Sequence, residues 1–166
     1  MRRRSSGQGL VEFALVSLVL MIIFLGIMDF GFLFAGRVAS TNAVRAAARF
    51  AAANPTAWSN SANPPITSIQ GNLKLTAIPA VIINDDTHVT INYLVPGTGT
   101  AGVVCGRWSS TTNTFVANGT YTQATCVTQG NIIQIQAIYV YTFITPMLSV
   151  FTNVTLTSIA AEIEET

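Results

Sequence analysis

The feature that most constrains this chain is an apolar run over residues 10–34, which follows three consecutive arginines at positions 2–4. A helix needs about 20 apolar residues to cross the hydrocarbon core of a bilayer, and basic residues commonly mark the cytoplasmic end of such a segment. A signal peptide has a shorter apolar stretch, about 7 to 15 residues, that ends in a small-residue cleavage site. No such site follows this run. The pattern therefore predicts a membrane-spanning helix that stays attached to the chain.

The composition agrees with this interpretation. Of the 166 residues, 50% are hydrophobic and 9% are charged, whereas an ordinary soluble domain has about 25% charged residues. The length suits one domain with an appended element. The net charge of +1 gives no reason to expect a nucleic acid partner. Part of the chain should therefore lie in lipid or in a large assembly.

The helix is predicted to continue beyond the membrane. Seven alanines, the best helix formers, occur among residues 43–53, and Asn54-Pro55 then stops the helix. We expect one helix from about Ser6 to Ala53, about 70 Å long at 1.5 Å per residue. Its second half should present one apolar face to protein, with the arginines largely off that face. The residues of this face, at steps of three and four, are Phe34, Val38, Thr41, Val44 and Ala48.

The rest of the chain predicts an α+β domain. Residues 54–65 form a polar linker, and Ile66, Ile69, Leu73 and Ala77 step at helical spacing, which we favour over a short strand at residues 73–77. Alternation predicts strands at residues 87–95, 131–143 and 153–165, with a hairpin region between the first two whose tight turn is Asn118-Gly119. The fold class expected is a long N-terminal apolar helix packed on a small C-terminal antiparallel sheet. The domains are residues 1–7, 8–53, 54–65 and 66–166.

The residues that could carry chemistry are few. Cys105 and Cys126 could form a disulfide that stabilises the chain by about 3 kcal/mol, or remain as two buried thiols. They do not resemble a metal site, which needs more ligands. His88 is the only histidine and suits a polar surface turn. No nucleotide-binding, zinc or nucleophile motif is present, so we expect no enzyme, no metal and no cofactor.

Two short patterns, at Asn118 and Asn153, fit the acceptor sequence for N-glycosylation. The pattern is commonly unoccupied. Asn118 is the better candidate because it is expected in an exposed turn.

Residues 7–53 resemble the N-terminal signature of TadE-like proteins, pilin-like subunits of the tight-adherence (Tad) branch of type IV pili. The residues that carry the resemblance are the Gly7 start, V-E-F-A-L at 11–15, the apolar run, G-I-M-D-F-G at 26–31 and the alanine-arginine helix. Residues 141–165, with a Thr-Pro break, also resemble that family's ending. Residues 54–130 match only in pattern.

The resemblance implies a route from membrane to filament. A prepilin peptidase would remove the basic leader between Gly7 and Gln8, which leaves Glu12 as the fifth residue, as is usual in the family. Gln8 departs from the phenylalanine with which many pilins begin, and the alternative is that the leader is retained. The subunit would pass from the inner membrane, with help from the pilus assembly machinery, into an extracellular helical filament. The helix residues expected to pack in the filament core are Phe13, Leu15, Leu18, Ile22 and Leu25.

The acids of the helix need an explanation, because an acid in lipid is costly. The resemblance suggests that Glu12 pairs with the α-amine freed at Gln8, of its own or a neighbouring subunit. Alternatively, Glu12 is a helix-start acid favoured by the helix dipole. Asp29 either pairs with Arg37 of a neighbouring subunit or is exposed to water at the interface. Gly26, Gly31 and Gly36 allow close helix contact, bending, or neither.

Two classes of function follow. The first is a structural filament subunit for surface adherence, either the major subunit or a minor one that initiates or tips the filament. The second is a monomeric, membrane-anchored binding domain with an exported C-terminal part. The second predicts neither leader removal nor self-association.

Overall fold

The computed structural model of the chain describes residues 7–76, 86–97, 102–145 and 153–165. Residues 1–6 of the predicted basic leader (residues 1–7), together with Ala77 and Pro146, fall outside this part. The chain divides into two compact units. We call them the helix unit (residues 1–35 and 141–154) and the sheet unit (residues 36–140 and 155–166).

The predicted fold class is confirmed, with a long N-terminal apolar helix and a five-stranded antiparallel sheet. Helix α1 is 46 residues long, and the sheet has the strand order β3-β2-β1-β4-β5. The elements in chain order are α1 (Gln8–Ala53), α2 (Ile69–Thr76), β1 (Val89–Val95), β2 (Val103–Ser109), β3 (Thr114–Ala117), α3 (Gln123–Cys126), β4 (Ile132–Tyr141) and β5 (Val154–Ile163).

In the sheet unit, α1 buries a stripe of small side chains. The stripe includes Ala43, Val44, Ala47, Ala48 and Ala51, each at most 1% exposed. Alanine lets a helix approach its neighbour closely, and the Ser40 hydroxyl donates to the Ser158 hydroxyl of β5 at 3.1 Å.

The predicted apolar face of α1 is therefore only partly right. Val44 and Ala48 are buried, but Phe34 and Val38 are exposed. The large residues of the predicted face, Phe34 and Val38, lie before the alanine stripe and are exposed among the described residues.

The sheet follows the predicted alternation. Val89, Ile91 and Tyr93 of β1 are buried, and β1 pairs with β4 in antiparallel register, with Ile91 opposite Ile135 and Tyr93 opposite Ile133. Opposed apolar residues on one face are the unit of sheet stabilisation. The core of the sheet unit therefore lies on this face.

A cluster of aromatic residues fixes the linker to the sheet. Trp58 stacks on Trp108 with ring centroids 4.4 Å apart and planes 8° apart, and its indole Nε1 donates to the Tyr93 hydroxyl at 2.7 Å. The Tyr93 hydroxyl in turn donates to the carbonyl of Pro55. The linker is polar in composition, but Pro55 and Trp58 anchor it to the sheet.

The hairpin turn was predicted at the wrong place. The turn between β2 and β3 lies at residues 110–113, where Asn113 has φ 55°. Asn118-Gly119 instead follows β3. The structure also forms helix α3 where a strand was expected, because Thr122 and Thr125 make a reciprocal capping box.

Glycine is required at position 71 of α2. A Cβ atom there would lie 1.8 Å from the carbonyl oxygen of Pro65, and backbone cannot move away cheaply. We expect Gly71→Ala to lower the free energy of unfolding by about 1–3 kcal/mol, as overpacking generally does. The midpoint of thermal unfolding, followed by tryptophan fluorescence in detergent, measures this. Gly31→Ala is the control, because its Cβ would meet nothing within 4 Å. An unchanged midpoint for Gly71→Ala would contradict the packing described.

Candidate functional site

The first half of α1 is an apolar surface that is largely exposed in the part of the chain that the structure describes. Its most apolar 18-residue window has a mean hydropathy of 2.8 and is 0% buried, so the helix is long and apolar enough to cross a membrane. The predicted filament-core residues lie in this region. Phe13, Leu15, Leu18 and Ile22 are exposed and Leu25 is half-buried.

Glu12 lies in the second turn of this surface and is exposed. Gln8 is the first residue of α1, and residues four apart lie on the same helix face. Gln8 and Glu12 also line one shallow surface depression, together with Gly7, Val11 and Leu15. The predicted cleavage position and the predicted docking acid are therefore neighbours.

Asp29 is buried within the helix unit, at 1% exposure. Its Oδ1 atom accepts hydrogen bonds from the Tyr141 hydroxyl at 3.0 Å and from the backbone amide of Ile144 at 3.0 Å. Its Oδ2 atom accepts one from the backbone amide of Thr145 at 2.9 Å. The alternative of a water-exposed Asp29 is wrong, because segment 141–145 covers the carboxylate.

Arg37, the proposed charge partner of Asp29 across a subunit contact, is exposed. Its pairing with a neighbouring Asp29 stays a prediction. Added Cβ atoms at Gly26 and Gly31 would face open space, which suits either close approach of another helix or simple tolerance.

Cys105 and Cys126 form a disulfide with Cα atoms 5.8 Å apart. Cys105 is the extra residue of an irregularity in β2, where Tyr93 faces Gly106 and Leu94 faces Val104. Because the bond joins β2 to α3, it fixes the short helix against the sheet.

The remaining candidates show no convergent chemistry. Asn118 is exposed, but its Nδ2 atom donates to the carbonyl of Val104 at 2.9 Å, which competes with use as a glycan acceptor. Asn153 is exposed, and the ring nitrogen Nδ1 of His88 lies 3.0 Å from the Thr87 hydroxyl. Within the described ranges, no group of three His, Cys, Asp or Glu residues could hold a metal ion.

Sequence reasoning missed Glu164, which the structure buries at 1% exposure in the sheet unit. Neither of its carboxylate oxygens has a hydrogen-bond partner in the part of the chain that the structure describes. Burial raises its pKa to about 7. Burial also raises the pKa of Tyr93, and the Glu164 charge adds to that effect. Glu164 is one of three acids in the sequence E-I-E-E, and the sequence does not indicate which of them is buried.

Asp86 has the opposite environment. Burial raises its pKa, but hydrogen bonds from Ser109 and Ser110 outweigh this and hold the pKa below its usual value. Its oxygens accept from the Ser109 hydroxyl at 2.5 Å and from the amide of Ser110 at 2.6 Å. Asp86 therefore fixes the turn between β2 and β3.

An exposed apolar helix that continues into a small antiparallel sheet unit is the arrangement of a membrane-anchored α+β protein. Residues 7–49 match the family described as TadE-like protein. The resemblance predicted from the sequence is confirmed over this segment. No curated protein and no solved structure matches the chain.

The burial of Glu164 predicts a pH dependence of stability. Its pKa is about 7 in the folded chain against an ordinary value of 4.5, so the folded state binds the proton more tightly. The contribution of Glu164 to the free energy of unfolding is therefore greatest below about pH 4.5. It should fall by about 1–3 kcal/mol as the pH rises to about 7.

Glu164→Gln should remove this fall and raise stability above pH 7, as measured by urea unfolding across the pH range. Glu162→Gln is the matched control. Its side chain is 42% exposed and lies 3.9 Å from Arg49, and exposed pairs contribute little. Equal pH profiles for the wild type and Glu164→Gln would refute the assignment.

Proposed function

We propose that this chain is a pilin-like subunit that polymerises through its N-terminal helix into an extracellular Tad pilus used for surface adherence. The observation that carries the proposal is the uncovered apolar surface of α1 over residues that match the TadE-like family. Such a surface needs lipid or other helices around it, since apolar area in water costs about 25 cal/mol per Å². In this proposal the chain acts through assembly and has no catalytic role.

Polymerisation would exchange lipid for neighbouring helices. In the membrane, acyl chains cover the first half of α1, and in the filament the same side chains pack against other copies. Helical filaments arise when one surface patch contacts a different patch on the next copy and the rotation does not close. Phe13 and Leu18 are suited to the core of such a helix bundle, because both are large, apolar and exposed in the single chain.

Glu12 would set the register of the helices in this core. A carboxylate transferred into an apolar bundle must be paired, since an isolated buried charge is costly. Removal of the leader by prepilin peptidase would create an amine at Gln8. Gln8 and Glu12 are separated by about 6 Å along the helix axis, at 1.5 Å per residue, so the pair can form within one chain or between stacked copies.

A minor subunit that initiates or tips the filament is the second form of this proposal. The main pilins of tight-adherence systems tend to be much smaller than this chain, which carries a sheet unit with a disulfide after the helix. A membrane-anchored monomer with an exported binding domain is the competing function.

Electron microscopy and intact mass of protein purified from cells distinguish these functions. The filament proposal expects filaments containing this chain with a mass that lacks residues 1–7. Short filaments with this chain at one end would indicate the minor subunit. A full-length monomer in the membrane fraction would overturn the proposal.

The role of Glu12 has its own prediction. Glu12→Ala should reduce the amount of sheared surface filament by at least about tenfold, because removing one partner of a buried charge pair costs about 3–5 kcal/mol. The measurement is immunoblotting of the sheared fraction against total protein. Ser17→Ala is the control, because the Ser17 hydroxyl donates to the carbonyl of Ala14 in its own helix at 3.0 Å. Normal filament yield from Glu12→Ala would remove the docking role.

A further inference from the structure

The segment that leaves β4 belongs with the helix unit. Residues 141–154 group with residues 1–35 and separate from the rest of the sheet. Hydrogen bonds join this segment to α1, since Tyr141, Ile144 and Thr145 all donate to the Asp29 carboxylate. The Tyr141 and Phe143 rings meet edge to face at 5.5 Å, so the segment has a defined conformation.

Asp29 lies at the depth where the span should end. It is 19 residues after Leu10, which is about 28 Å along a helix at 1.5 Å per residue. The hydrocarbon core of a bilayer is about 30 Å thick. The segment held by Asp29 is therefore at the level of the membrane boundary.

Large apolar side chains are exposed in this region, next to the exposed Thr142. Ile144 is 71% exposed, and the neighbouring helix residues Met28 and Phe30 are 43% and 51% exposed. Loops between strands in water are normally rich in Gly, Asn, Asp and Ser, but residues 142–145 read Thr-Phe-Ile-Thr. The exposed apolar surface of the span thus continues onto this segment.

At membrane depth the Asp29 contacts would satisfy backbone groups that water cannot reach. Non-helical backbone at membrane depth is tolerated where its polar groups are satisfied by protein, because each unsatisfied group costs several kcal/mol. Asp29 accepts from the two consecutive amides of Ile144 and Thr145, and the Thr145 side chain also bonds the carboxylate.

We propose that the 142–145 segment is a second membrane contact, in which Ile144 lies among lipid acyl chains at the bilayer interface and Asp29 is the acceptor that holds it there. The occupant is lipid because the surface is continuous with the uncovered surface of α1. The proposal depends on α1 spanning a membrane and not on polymerisation. A failure to form filaments would therefore contradict the proposed function and leave the lipid contact intact. Loss of the lipid contact would leave the filament proposal intact.

The test uses the full chain with Ile144→Cys, labelled with the environment-sensitive fluorophore NBD and reconstituted in phosphatidylethanolamine–phosphatidylglycerol vesicles. The native cysteines are joined in a disulfide and do not react. Thr120→Cys is the matched control, since Thr120 is exposed in the turn after β3. We expect blue-shifted emission at position 144, quenched by lipids with a nitroxide near the head group and little by iodide. The label at position 120 should show the reverse.

Two results would overturn the lipid contact. Emission at position 144 that is red-shifted and iodide-quenched, as at position 120, would place the segment in water. A blue-shifted label protected from both quenchers would mean that protein, and not lipid, covers Ile144.

The part played by Asp29 is tested in the same labelled chain. Asp29→Ala removes the acceptor, so the label at position 144 should become accessible to iodide, and Asp29→Asn, which keeps one acceptor oxygen, should lie between. Alkaline extraction confirms that each variant remains in the membrane, and tryptophan fluorescence confirms the folded sheet unit. An unchanged label in both variants would show that Asp29 does not hold the segment.

Discussion

The uncovered apolar surface of α1 is the constraint on which the rest of the structure depends. A helix of 46 residues carries large apolar side chains in its first half and alanines in its second. Large side chains on all sides suit a surrounding of lipid or of other helices. Alanine suits close packing on the chain's own sheet, and Ala43, Ala47 and Ala51 are fully buried. One continuous helix thus serves two environments because side-chain size changes along it.

The connection between β4 and β5 is the point where these two environments impose opposite demands. A chain reversal leaves backbone amides without strand partners, and water ordinarily supplies acceptors for them. At the proposed membrane boundary, water is scarce. The carboxylate of Asp29 accepts from the amides of Ile144 and Thr145 and from the Tyr141 hydroxyl, which gives this acid of α1 a structural role.

The sequence predicted what depends on periodicity and composition. The bounds of α1, the strands of the sheet and the fold class follow from helical and alternating patterns and from Asn54-Pro55. It could not predict the partners of Asp29, because Tyr141 and Thr145 are 112 and 116 residues away and no local pattern joins them. Helix α3 was missed because a capping box between Thr122 and Thr125 prevailed over the strand preference of threonine. The burial of Glu164 was equally invisible, since three neighbouring acids look alike in sequence.

The two acids of α1 can now be assigned different kinds of role. Asp29 is buried, and its two oxygens are bonded within its own chain, so another subunit would have to break those bonds before it could pair with Asp29. Glu12 is exposed one turn after the start of the helix and has the free access that a contact between chains requires. A charge buried only on assembly costs little before assembly and must be paired after it. In the proposed filament, an inter-subunit charge contact would therefore involve Glu12, whereas Asp29 is bonded within the single chain.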